Sequence, residues 1–190
     1  MKSTKQSIIA ISIRLIAKNQ APDYYPFIEA SKVRYFFLRE LYAYVESQEY
    51  CLSFEQHLDE IILVLDANAD HVYSNLSVLY EHILQSVQAS NNYIQKNQWN
   101  YKLQVYIAVD AGESEKMILP ATKHFPAIIN WTGLHVDRVS TLTREMISGS
   151  YPTFIITHSF YKRLSPTEQE KYSTLYYIRH ICCYSKQKSR

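Results

Sequence analysis

Two carboxylates stand side by side at Asp59 and Glu60, where the short segment Glu55-Gln-His-Leu-Asp59 separates the apolar runs Tyr50–Phe54 and Glu60–Leu65. Both runs read as strands and the segment between them is short enough for a hairpin, so the two acids meet at a turn. Hard divalent ions such as Mg²⁺ take carboxylate oxygens. Adjacent carboxylates at such a turn have the oxygen chemistry for an ion of that kind, although Asp is equally an ordinary turn residue. Asp66 and Asp70 lie at the far end of the following strand, roughly 20 Å from Asp59 by strand rise. No acid occurs between Met1 and Asp23, and the first apolar run carries Arg14 instead.

Other chemistries leave weaker traces. The 7 His residues, His57, His71, His82, His124, His135, His158 and His180, form no His-x-x-x-His or Cys-His metal pattern. His135 and Asp137 share a segment, but neighbours two apart on a helix do not face each other. The 3 cysteines, Cys51 and the adjacent Cys182 and Cys183, give neither metal spacing nor a disulfide framework, which fits a reduced, cytoplasmic location. With 3 Gly in the chain a phosphate-cradling loop is disfavoured, because such loops need backbone conformations that Gly adopts cheaply. No Gly-x-Ser-x-Gly elbow occurs. The 17 Tyr could stack bases, but Tyr on strands and helix faces is usually half-buried packing.

The elements that must position Asp59 follow from periodicity. Ser7–Ala17 is a β-branched run fit for a central strand buried on both faces. Asn19–Pro26 reads as a loop, and Phe27–Val45 as an amphipathic helix with apolar residues at Val33, Phe36, Phe37, Leu41, Tyr44 and Val45. After the hairpin and the turn Asp66–Asp70, a second helix runs to about Lys96 on the stripe Val72, Leu76, Leu79, Ile83 and Val87. A strand Tyr101–Val109 is expected to turn at Asp110–Glu113. A short strand Ala127–Trp131, a helix opened by Thr132-Gly133 and a strand Thr153–Thr157 come next. Ser165-Pro-Thr-Glu168 is a helix start, and Tyr176–Tyr184 reads as a last strand at the sheet's edge. The sum is an α+β fold: a ferredoxin-like palm, β-α-β-β-α-β, with a C-terminal β-α-β extension.

At 190 residues and 47% hydrophobic, the chain reads as one domain, residues 1–190, with a single sizeable core. A net charge of +2 gives no strong nucleic-acid signal, and no apolar run reaches the ~20 residues of a membrane span. The basic ending Ser185–Arg190 reads as a solvated tail.

Three segments carry a family resemblance. Ile107-Ala-Val-Asp-Ala-Gly112-Glu113, Trp131-Thr-Gly133-Leu-His-Val136-Asp137-Arg-Val-Ser-Thr141-Leu142 and Ile155-Ile-Thr-His-Ser159-Phe-Tyr161-Lys-Arg-Leu164 resemble the second half of a class III nucleotide cyclase domain, the adenylate/guanylate cyclase homology fold. Leu58-Asp59-Glu60 with its apolar strand resembles that family's metal-binding hairpin, and also the Gly-Gly-Asp-Glu turn of diguanylate cyclases. The resemblance implies a β-α-β-β-α-β palm, two Mg²⁺ or Mn²⁺ ions held by Asp residues, and a site formed between two domains. A homodimer, or pairing with a second cyclase-like chain, is therefore expected, with a nucleotide as possible ligand.

Carried over residue by residue, the resemblance puts a metal at Asp59 and Glu60. It puts the family's catalytic Asn and Arg at Asp137 and Thr141; Asn130, and Arg144, which three residues past Thr141 could swing toward the same face, are the nucleotide-binding candidates. The family's first-strand Asp falls at or near Ser12, beside Arg14, whose fixed charge repels cations. Replacing Arg by Thr at 141 removes a bidentate, permanently charged donor. The expectation is a catalytically degenerate nucleotide cyclase-like domain that acts in signalling by binding nucleotide or protein. An active divergent cyclase using Mg²⁺ or Mn²⁺, or a ferredoxin-like protein-interaction module, are the alternatives.

Overall fold

In chain order the first half of the molecule runs β1 (Lys2–Lys18), α1 (Phe27–Glu46), β2 (Cys51–Gln56), β3 (Glu60–Asp66), α2 (Val72–Lys96) and β4 (Lys102–Leu119). The computed structural model describes residues 2–18, 27–57, 59–123, 127–149 and 151–186. The expected loop at Asn19–Pro26 and the basic tail beyond residue 186 lie outside them. β2 and β3 form the expected antiparallel hairpin. β3 pairs with β1, and β1 with β4, so the strands lie in the order β2-β3-β1-β4. That is the ferredoxin-like palm read from the sequence.

Strand alternation sorts the side chains into two layers. Ile9, Ile11 and Ile13 of β1, with Leu63, Leu65, Ile107 and Val109, pack beneath α1 and α2 against Phe37, Leu41, Leu79 and Ile83. Fully burying a side chain of this size contributes roughly 1.5–3 kcal/mol, and this layer supplies most of the core. The other face of the same strands carries Ile8 and Ala10, then Ser12 and Arg14.

The second half contains β5 (Ile128–Thr132), α3 (Leu134–Ser148), β6 (Phe154–Thr157), α4 (His158–Tyr161), α5 (Pro166–Gln169), β7 (Thr174–Ile178) and β8 (Ile181–Ser185). α3 covers the second face through Val139, Leu142 and Met146. Gly133 precedes it at φ 131°, a backbone region that disfavours any side chain. β6 pairs parallel to β4, β8 antiparallel to β6, and β7 with β8. Ser165 caps α5 by accepting from the Glu168 N–H, as its sequence proposed.

Two expectations are corrected. β4 does not turn at Asp110–Glu113. It continues to Leu119, because β1 begins at Lys2 and offers Asp110, Ala111, Gly112 and Glu113 partners at Ala10, Ile9, Ile8 and Ser7. Turning there would strand those backbone groups without bonds. The reversal comes later, and β5 folds back on the end of β4, Trp131 opposite Lys116. Tyr176–Tyr184 is not one edge strand but a hairpin, with β8 inside the sheet and β7 at its edge. Arg179 and His180 take φ values of 46° and 65°, the conformation of a two-residue primed turn.

Candidate functional site

Ser12 and Arg14 project from the same face of β1 toward α3, and the β1–β3 register puts Arg14 opposite Glu60. The Arg14 guanidinium divides between the two hairpin acids: Nη1 lies 2.5 Å from Asp59 Oδ2 and Nη2 2.7 Å from Glu60 Oε2. Ser12 Oγ donates to Glu60 Oε1 at 2.5 Å, and Ser140 Oγ of α3 donates to Oε2 at 2.9 Å. Thr143 of α3 completes the cluster, receiving Arg14 Nε at 3.2 Å and meeting Ser12 Oγ at 2.8 Å. The Arg14 and Glu60 side chains are 8% and 7% exposed, whereas Asp59 is 58% exposed. Each nitrogen of the Arg14 guanidinium and each oxygen of Glu60 thus has a hydrogen-bond partner, the condition under which a buried charge is tolerated.

A second polar cluster lies under the first turns of α3. Asp110, in mid-strand and 0% exposed, accepts from His135 Nδ1 at 2.8 Å and from Arg138 Nη1 at 3.0 Å. Its other oxygen accepts from the Thr157 hydroxyl and from the Ala111 N–H. Gly112 lies on the same face, and a Cβ there would fall 1.8 Å from His135 Nε2. Glycine at 112 is room for an imidazole rather than a turn. Burial pushes the neighbouring Cys183 thiol up to about 12, with Cys182 and Asp110 adding to the rise.

Against the sequence reading, the structure joins Asp59 and Glu60 to Ser12 and Arg14. Asp137, Thr141 and Arg144 line the outer side of α3, while Ser140 and Thr143 point inward. Asp137 and Arg144 are exposed and make no ion pair with another described residue. Asn130 is exposed on β5 opposite Met117. No hydrogen bond links these four to the Glu60 cluster among the described residues. The sequence missed Asp110, Arg138, Ser140, Thr143 and Thr157. The available signal was Ser140 and Thr143, polar residues at i and i+3 next to the apolar stripe of α3.

No family model and no curated protein matches the chain in sequence. Solved structures do match it in three dimensions. The guanylyl cyclase Cya2 superposes with a TM-score of 0.72 at 12% identity, covering 97% of this chain and 93% of that one. A bacterial light-regulated adenylyl cyclase gives 0.71 at 9% identity over 98% of this chain, which spans 53% of that protein. The adenylyl cyclase CyaB from P. aeruginosa gives 0.62 at 10% identity, covering 100% and 98% of the two chains. This is the fold of a class III nucleotide cyclase domain.

In this cyclase fold the hairpin carboxylates are where the sequence reading put a divalent ion. The donor set meets an ion poorly, because both carboxylates are already engaged by Arg14 and the β1 neighbour is a serine. No group of three or more His, Cys, Asp or Glu side chains among the described residues is arranged around a common point for a metal. No described helix is long and apolar enough to cross a membrane.

Proposed function

We propose that this cyclase-fold domain acts in cytoplasmic signalling by binding, of a nucleotide or of a partner protein, and does not turn a nucleoside triphosphate into a cyclic mononucleotide. It works as a homodimer or beside a second cyclase-like chain. The observation that carries this reading is the Arg14 guanidinium held between Asp59 and Glu60. Cyclisation needs cations to activate a ribose hydroxyl and neutralise the triphosphate. At Asp59 and Glu60 an incoming ion would meet a fixed positive charge, a repulsion of about 4 kcal/mol per unit charge at 4 Å for an effective dielectric near 20. Arg14 already supplies the countercharge there, and Ser12 and Ser140 take up further lone pairs of Glu60.

Two further features support it. Asp137 carries negative charge where the resemblance expects a neutral amide, and Thr141 offers one hydroxyl where it expects a guanidinium. Both lie on the open side of α3, available to a partner surface.

The test is mass spectrometry of products after the purified protein is incubated with each ribonucleoside triphosphate and Mn²⁺. The expected result is no cyclic product, with the protein folded throughout. A cyclic mononucleotide that disappears in Asp59→Asn overturns the proposal and makes the substituted residues a variant mechanism. Thermal shift with the same nucleotides separates the two kinds of binding: a nucleotide ligand raises Tm, a protein partner leaves it unchanged.

A further inference from the structure

On the face of the sheet away from α3, a recess of about 280 Å³ opens between the end of α2 and the start of β4. It is lined by Gln88, Asn91, Asn92, Ile94, Gln95, Trp99, Tyr101 and Lys102. The back of this recess is rigid for reasons visible in the backbone. α2 ends in a Schellman motif, with Gln98 N–H on the Gln95 carbonyl at 3.0 Å and Trp99 N–H on the Ile94 carbonyl at 3.2 Å. Gln98 accepts φ 59° to make it, a conformation that glycine ordinarily provides. The motif presses the indole of Trp99 against Ile94, Val33 and Tyr101. Trp99 and Tyr101 then lie nearly parallel, at 6° and 6.1 Å. Asn91 is fixed by both ends of its amide, accepting from Leu103 N–H at 2.7 Å and donating to the Leu103 carbonyl at 3.1 Å.

The groups at the mouth are in the opposite condition. Gln88 Nε2 donates to Asn92 Oδ1 at 2.8 Å, which leaves the Gln88 oxygen as an acceptor beside the Asn92 NH₂ as a donor. The side chains of Gln95 and Lys102 make no hydrogen bond or ion pair with another described residue. Among the described residues no carboxylate lines the recess. We infer that this recess is a binding site for a saccharide unit, stacked by one face on Trp99 and held at its hydroxyls by Gln88, Asn92, Gln95 and Lys102. Neighbouring hydroxyls each donate and accept, which matches the adjacent acceptor and donor of Gln88 and Asn92. A one-sided aromatic wall suits a ring whose C–H groups face one way. The Lys102 ammonium admits neutral or acidic sugars and disfavours organic cations. The volume falls just under the ~300 Å³ at which pockets for drug-sized ligands begin, so one ring fits.

The experiment is a titration of intrinsic tryptophan fluorescence with methyl glycosides of glucose, galactose, mannose, N-acetylglucosamine and glucuronic acid, and with adenosine. The chain has 2 tryptophans, and Trp131 is 2% exposed on the other face of the sheet, so a ligand-dependent change reports Trp99. A saturating change with at least one glycoside is expected; Trp99→Ala removes the reporter, so its affinity is read by isothermal titration calorimetry beside the native protein and should be weaker roughly tenfold, the scale of a lost aromatic stacking wall. The double variant Gln95→Ala/Lys102→Ala removes side chains that hold no other described residue, so it keeps the fold and should weaken binding ~3-fold. No response to any glycoside up to about 50 mM, a response to adenosine alone, or binding unchanged in the double variant overturns the assignment. Failure of glycoside binding leaves the Arg14 cluster and the binding role proposed above untouched, whereas a response to adenosine alone would put a nucleoside in this recess instead.

Discussion

Beneath α3 two buried carboxylates are each met by an arginine, and the two arrangements differ in what else they engage. Asp110 is wholly enclosed and takes four donors, from His135, Arg138, Thr157 and the Ala111 backbone, all of them structural neighbours. Glu60 is nearly as buried, but its arginine is shared with Asp59, whose side chain is 58% exposed. The first cluster fastens helix to sheet and ends there. The second reaches the surface, at the turn where the sequence pointed to metal chemistry. The exposed Asp59 makes the Arg14 cluster the candidate site, with the Asp110 cluster as its support.

The sharpest way to break this comparison is Asp110→Ala. It leaves Arg138 and His135, whose side chains are 19% and 15% exposed, without their buried acceptor, and removing one partner of a buried pair typically costs about 3–5 kcal/mol. Chemical denaturation should show a loss of that size. A loss under ~1 kcal/mol would mean that the cluster is open to water and that its role as support is mistaken.

Glu60→Gln comes next. It keeps the shape and one acceptor oxygen but removes the charge opposite Arg14, so Asp59 is left as the guanidinium's one ionic partner among the described residues. A destabilisation of about 2–3 kcal/mol is expected from a lost charge-assisted set of hydrogen bonds. If Asp59→Asn proved the costlier of the two, the order of burial would not govern the site.

Gly112→Ala tests the support from another direction. The new Cβ would stand 1.8 Å from His135 Nε2, so the ring must swing off Asp110. Overpacking of this kind costs about 1–3 kcal/mol. Double-mutant analysis with His135→Ala should recover most of it, since the ring is then absent; no recovery would place the strain in the strand itself.

How much of this was legible depends on sequence distance. α1 and α2 declare themselves by apolar spacing within each helix, β1 by an unbroken β-branched run, and the Asp59–Glu60 hairpin by its short connection. The Asp110 cluster joins residues 25, 28 and 47 positions apart, and nothing local marks them. Gly112 misled because glycine in sequence signals a turn, whereas here it clears space for a ring delivered by α3. The terminal hairpin was hidden because Arg179 and His180 occupy a turn ordinarily marked by Asn-Gly. Arg14 was visible as a charge in a buried strand, but its bonds to Glu60 and Thr143 depend on register 46 and 129 residues away.

The smallest effect on stability belongs to Asp59→Asn, and it is the variant that most directly separates structure from function. Asp59 is mostly in water, so its pair with Arg14 is worth about 0–1 kcal/mol, and Tm should hardly move. Mn²⁺ should shift neither the native protein nor this variant, because Arg14 supplies the countercharge in both. Replacing that charge is the counterpart: Ser12→Asp with Arg14→Ser sets a third carboxylate opposite the hairpin and takes the cation away. If the guanidinium stands in for an ion, Mn²⁺ should now raise Tm, by the equivalent of about 2.7 kcal/mol at a hundredfold excess over Kd, and adding Asp59→Asn should weaken the effect. Mn²⁺ stabilising the unaltered chain through Asp59 would instead mean that the carboxylate is free to leave Arg14, and that the hairpin is a metal site after all.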